Sequence, residues 1–169
     1  GRHRMTRLDP NHAIFPGSFD PPTLGHLDLI ERALERFELV TLAVGAHPTK
    51  SGLLDPDERE QLLRTMTAEL ASSERLEFMQ LSGLLVDGCR DSNAGTVLRG
   101  LRNGTDFEYE SQMAATNRSM EPGVDTLYLG ASPGHAHLSS TLVRQIFAMG
   151  GDITELVPET VASFLASRR

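Results

Sequence analysis

From Ala13 onward, short apolar runs alternate with stretches whose apolar positions recur every three or four residues. The runs Ala13–Gly17, Leu39–Gly45, Leu76–Gln80, Thr96–Arg99 and Asp125–Leu129 read as strands. Helical spacing falls on Leu24–Phe37, Pro56–Ala71, Leu84–Ser92, Asp106–Met120 and Ser140–Met149, and a short helix over Pro158–Ser167 closes the chain. Five strands in alternation with helices predict βαβ units. The expected fold class is α/β, a single Rossmann-like domain with a five-stranded parallel sheet and helices on both faces. The first helix carries Leu24, Leu27, Ile30, Leu34 and Phe37 on one stripe, the spacing of a face laid on a sheet. In the second, Asp55 can cap, Pro56 suits the first helical position, and Glu58 completes a capping box. Residues 1–12 are polar and patternless. They are expected to lie outside the domain at 13–169 as a disordered leader, Gly1–Arg4 before Met5 looking like a cloning remnant.

Composition narrows the range of functions. A chain of 169 residues with 39% hydrophobic and 23% charged residues suits one compact domain. Its formal charge of -7 argues against general binding to nucleic acid or to an anionic membrane, because the mean field repels both. An anionic ligand must therefore meet a local cluster of cations. The one cysteine, Cys89, excludes a disulfide framework and suggests core filler in a reducing compartment. No stretch has the length of a membrane span, and the N-terminus lacks the apolar core of a signal peptide, so a cytoplasmic location is expected. Fifteen arginines stand against a single lysine, Lys50, which makes that lysine worth following.

In parallel α/β sheets ligands bind beyond the carboxyl ends of the strands, so the loops there are the ones to read. The first runs Gly17-Ser18-Phe19-Asp20-Pro21-Pro22-Thr23-Leu24-Gly25-His26 into a helix start. Glycine permits close backbone approach, the helix start exposes N–H groups, and Ser18 and His26 add donors, as a phosphate cradle requires; an ordinary βα turn with a surface histidine is the plainer alternative. The second loop holds Lys50. The fourth holds Arg99-Gly100-Leu101-Arg102 ahead of the acidic stretch Asp106 to Glu110, and its arginines can clamp phosphates or simply pair with that stretch. The fifth holds His135, His137 and Ser139-Ser140-Thr141, hydroxyls that cap a helix, bind a phosphate, or do both. Four loops with phosphate chemistry converge, and His26, Lys50, Arg99, Arg102 and Arg144 would form the needed cluster.

Other motifs fail on their own chemistry. Gly45 to Ser51 lacks the glycine that precedes a Walker lysine. In Gly130-Ala131-Ser132-Pro133-Gly134 the proline has no N–H for an oxyanion hole. His47, His135 and His137 have no carboxylate or thiol at ligand spacing, so no protein-held metal site is expected. No G-x-G-x-x-G follows any strand.

Phe15-Pro16-Gly17-Ser18-Phe19-Asp20-Pro21 with Thr23-Leu24-Gly25-His26 resembles the signature of the T/HxGH nucleotidyltransferase superfamily. Arg99 to Arg102, Asp106-Phe107-Glu108-Tyr109-Glu110 and the spacing to Lys50 are similar to the bacterial phosphopantetheine adenylyltransferases, across Ala13–Arg169. Ser18, Phe15 and Leu24 stand where threonine, tyrosine and asparagine are common, and Leu138-Ser139-Ser140-Thr141 varies the usual Ile-Ser-Ser-Ser.

The resemblance implies transfer of AMP from ATP, with Mg2+, to 4′-phosphopantetheine. It implies a homohexamer with coenzyme A as feedback ligand. Carried over residue by residue, Ser18 and His26 would contact the α-phosphate and Lys50 both substrates' phosphates. Arg99 would hold the acceptor phosphate, and Arg102 with Ser139, Ser140 and Thr141 the β- and γ-phosphates. Phe19, Gly100, Leu101, Glu110, His135 and His137 would serve ATP, and Leu84 and Leu85 the pantetheine arm, offering an apolar wall without an aromatic ring. His26, Lys50 and Arg102 would be the catalytic set. A nicotinate mononucleotide or glycerol-phosphate nucleotidyltransferase would share the first motif but not the Arg99–Glu110 segment; a non-catalytic nucleotide-binding module would need only the fold.

Overall fold

A computed structural model describes residues 7–46 and 52–169. The elements are β1 (Asp9–Gly17), α1 (Leu24–Leu34), β2 (Leu39–Gly45), α2 (Pro56–Thr67), β3 (Leu76–Leu81), α3 (Leu85–Ser92), β4 (Ala94–Leu101), α4 (Gly104–Met120), β5 (Asp125–Gly130), α5 (Ser140–Ala148) and α6 (Glu159–Ala166). A 3-10 turn at Ser73–Arg75 precedes β3. Every strand pair is parallel, in the order β3-β2-β1-β4-β5. The chain winds outward from β1 to β3, then crosses back to β4. A crevice therefore opens between the carboxyl ends of β1 and β4, where neighbouring strands lead away in opposite directions.

Two apolar layers sandwich the sheet. On one face Ala13, Phe15, Val40, Leu42 and Leu98 meet Ile30, Ala33 and Leu34 of α1 and Leu63 of α2. On the other, Ile14, Ala43 and Val97 meet Cys89 of α3, whose thiol is pushed up to about 11 by burial and is therefore inert. A third cluster joins Leu62 of α2 to Val143 of α5 and to Val161 and Leu165 of α6. Among the described residues no helix is long and apolar enough to cross a membrane.

The first strand begins four residues earlier than its apolar run. Asp9 pairs with Ala94 and His12 with Leu39, so backbone hydrogen bonds extend the strand through polar residues expected in the leader. His12 is buried, its Nε2 2.6 Å from Thr41 Oγ1. Gly95 makes this approach possible, because a Cβ there would meet the Asp9 backbone at 2.8 Å. α1 stops three residues short of its apolar stripe. Arg75 donates to the carbonyls of Leu34 and Phe37, satisfying the helix end while Phe37 still packs on the core.

Candidate active site

β1 delivers Gly17 and Ser18 to the crevice. Beyond them buried Asp20 accepts the N–H groups of Leu53 at 2.9 Å and Leu54 at 2.8 Å, fastening the turn to the approach to α2. Gly52 is required here, since a Cβ would meet Asp20 Oδ2 at 2.3 Å. Phe19 sits at φ 51°, in the left-handed region. Its ring lies 5.5 Å from that of Phe15 and 4.9 Å from that of His26. Phe19 therefore does not line the crevice; it is the floor beneath His26.

Thr23 and His26 form a reciprocal cap on α1. The His26 N–H donates to Thr23 Oγ1 at 3.3 Å, and the Thr23 N–H donates to His26 Nδ1 at 2.9 Å. Because Nδ1 accepts, the neutral ring carries its proton on Nε2, the nitrogen left for the crevice. Burial first, then Arg99 and Arg102, lower its pKa to about 4. His26 is thus a neutral donor at neutral pH. Thr23 serves the histidine rather than a phosphate.

Two cavities adjoin at the crevice. One, of about 270 Å³, is lined by Ser18, His26, Gly100, Leu101, Arg102, Glu110, His135, Ser139 and Ser140. The other, of about 230 Å³, is mainly apolar, with Leu81, Leu85, Val97, Tyr109 and Met113 in its walls. Pro16, Gly17, Arg99 and Glu110 line both. Arg99 is held in place: Nε and Nη2 donate to the two oxygens of Glu110 at 2.9 and 2.7 Å, and Nη1 donates to Pro16 O at 2.7 Å. A guanidinium has five N–H groups, so two remain for a ligand. Arg102 pairs with Asp106, whose carboxyl is raised by burial but lowered further by the Arg102 side-chain and backbone hydrogen bonds, ending below its ordinary value.

The remaining expected residues divide. Ser139 caps α5 by accepting the Leu142 N–H, and Ser140 donates to Pro21 O at 2.8 Å. Thr141 accepts from Arg144, which also donates to Asp20 O; neither lines the crevice. His137 is exposed and away from it. Leu84 is the exposed N-cap of α3, so Leu85 alone of that pair reaches the apolar cavity. The apolar wall also contains an aromatic ring after all, that of Tyr109. Lys50 lies outside the described residues.

Comparisons with known proteins agree with this fold. Residues 14–146 match the cytidylyltransferase-like family. Phosphopantetheine adenylyltransferases of Rhizobium leguminosarum bv. trifolii and Methylobacterium sp. (strain 4-46) are 43% and 44% identical to the chain, over 93% and 92% of its length and 97% and 95% of theirs. The chain belongs to the phosphopantetheine adenylyltransferase family. A bifunctional NMN adenylyltransferase/ADP ribose pyrophosphatase from Francisella tularensis shares its fold with a TM-score of 0.72 at 16% identity, over 92% of this chain and 48% of that one. The chain thus spans about half of the bifunctional protein.

Within this phosphopantetheine adenylyltransferase site, three supports were not apparent from sequence. Asp20 and Thr23 are two. The third is a bridge from α1 to the loop after β5: Ser132 donates to Asp28 Oδ2 at 2.6 Å, and Arg32 donates to Asp28 and to Gly130 O at 2.8 Å. The S/T-x-x-polar spacing of Thr23 and His26 was the available signal for the cap. Nothing local signals a bridge between residues about a hundred positions apart.

Proposed function

We propose that this chain moves the adenylyl group of ATP onto 4′-phosphopantetheine, giving dephospho-coenzyme A and pyrophosphate. The observation that carries the reading is the shared wall: a donor-rich cleft and an apolar cavity meet at Arg99 and Glu110. ATP would occupy the cleft, its α-phosphate near Ser18 and His26, its outer phosphates toward Arg102, Ser139 and Ser140, its adenosine along Gly100, Leu101 and His135. The pantetheine arm suits the apolar cavity, and its phosphate would then meet the two uncommitted N–H groups of Arg99.

The acceptor phosphate is an anion at neutral pH and needs no general base. One of its oxygens bonds to the α-phosphorus while the bond from that phosphorus to the β-bridging oxygen breaks, and the electron pair leaves on pyrophosphate. What this chain supplies is alignment and charge compensation: the Nε2–H of His26, the arginine donors and, following the family resemblance, Lys50 between the two substrates. Mg2+ enters as part of the nucleotide substrate. The carboxylates in the cleft, Asp28, Asp106 and Glu110, are paired with Arg32, Arg102 and Arg99, so the nucleotide's own phosphate oxygens and water would supply most of the ion's ligands. Coenzyme A carries the same arm and would compete for the apolar cavity as a feedback ligand. The expected setting is a cytoplasmic homohexamer.

Mixing the protein with ATP, Mg2+ and one acceptor at a time, while measuring pyrophosphate, tests the reading. Fast release with 4′-phosphopantetheine and almost none with nicotinate mononucleotide is expected. Equal rates, or preference for the mononucleotide, would overturn the acceptor and leave the nucleotidyltransferase.

A further inference from the structure

The carbonyl of Ser18, just past β1, and that of Gly45, which ends β2, share one donor, which lies outside the crevice. Arg59 of α2 is 7% exposed. From Nη1 it donates to Ser18 O at 2.6 Å and Gly45 O at 2.8 Å, and from Nε to Leu54 O at 3.1 Å. Among the described residues no carboxylate pairs with it. Residues 1–6 and 47–51 contain no Asp or Glu that could do so. A guanidinium taken out of water without a counter-ion is costly. Three carbonyl dipoles offset part of that cost, and an anion arriving over Ser18 would offset more.

The partners of this guanidinium define what it does. Ser18 lines the polar cleft, and Gly45 lines the apolar cavity. Leu54 is one of the residues that Asp20 fastens to the β1–α1 turn. In the sequence Lys50 follows Gly45, the last residue of β2, by five positions. One planar group therefore spans the walls of both cavities from behind.

We propose that Arg59 is a positioning residue for the transfer, holding the Ser18 and Gly45 carbonyls at fixed separation so that the two substrates' phosphates meet in line, while its unpaired charge favours anions in the crevice. This rests on the adenylyl-transfer reading. In-line displacement is sensitive to such spacing, because a misplacement near 1 Å costs on the order of a hundredfold in rate.

The test compares wild type, Arg59→Lys and Arg59→Met in the pyrophosphate assay, after circular dichroism has measured the folded fraction of each. Arg59→Lys keeps the charge but cannot fan three donors in one plane; its kcat should fall at least about tenfold with KM for both substrates nearly unchanged. Arg59→Met loses charge as well, so its kcat should fall about a hundredfold and its ATP dissociation constant, by calorimetry, should rise. Added guanidinium ion should restore part of the Arg59→Met rate. Wild-type kcat in folded Arg59→Lys would overturn the proposal. So would failure of both variants to fold, since Arg59 would then serve the fold alone. A wild type inactive with every acceptor would instead refute the adenylyl-transfer reading, and an ATP dissociation constant unchanged in Arg59→Met would still overturn the part given to Arg59.

Discussion

A histidine among phosphate ligands is easily taken for a cation, yet His26 is built to be neutral. The Thr23 N–H occupies Nδ1, and burial beside Arg99 and Arg102 holds the pKa near 4. Among the described residues, positive charge in the crevice therefore comes from guanidinium groups, which cannot lose it, while in the proposed transfer His26 would offer one oriented N–H to charge that builds up on the α-phosphate. His26→Ala should lower kcat by about a hundredfold to a thousandfold while ATP binding changes little, since the donor acts mainly in the transition state. Steady-state rates set beside calorimetric affinities check this; parallel losses in both would make His26 an ordinary anchor. Thr-x-Gly-His exposed this residue in the sequence because its type and spacing carry the chemistry. Arg59 stayed hidden, because within Asp-Pro-Asp-Glu-Arg-Glu it reads as part of a solvated charged face. Glu110, expected to serve ATP, lines the cleft and is bound to Arg99 through both oxygens, a pairing that its place in the acidic stretch only partly foretold.

At the scale of elements, apolar patterning and cap signals located every strand and numbered helix; burial of a face is what both the pattern and the fold record in most of them, though not in α4. Element ends were less legible. Periodicity registers apolar side chains, whereas ends depend on backbone and polar partners: β1 runs back to Asp9 on ladder bonds and the His12–Thr41 contact, and α1 stops where Arg75 takes the Leu34 carbonyl. α4 departs furthest from the usual rule. Over 17 residues it buries only Glu110 and Asn117, while Phe107, Tyr109, Met113 and Met120 are exposed, as is Leu127 of the edge strand β5 beside it. The proposed hexamer would cover apolar area of this kind. Light scattering at micromolar concentration should give about six times 18.5 kDa, and Leu127→Glu should shift the mass downward; a monomer in the wild type would contradict the hexamer.

For the whole molecule, pH acts through buried imidazoles. The pKa of His12 is lowered from 6.5 chiefly by burial, against the opposing pull of Glu77 and Asp9, and that of His26 is lowered as well. Below pH 6.5 the unfolded chain takes up protons that the folded chain refuses, so stability should fall as pH drops from 6.5 and stay level above it on their account. Thermal melts between pH 8 and 5 check this: a Tm that rises on acidification would contradict it, and His12→Asn should flatten the fall. The wall shared by the two cavities governs how the protein lets go. The molecule it makes joins the AMP part of one substrate to the whole of the other, so the product would straddle Arg99 with a foothold on either side. When one end detaches, the other tethers it close by at high effective concentration, and the loose end rebinds before the whole can escape. Departure rather than bond formation would then pace each cycle. Rapid-quench mixing should reveal an initial surge of about one product per subunit ahead of a slower steady rate; a linear start would put the delay in the chemistry instead.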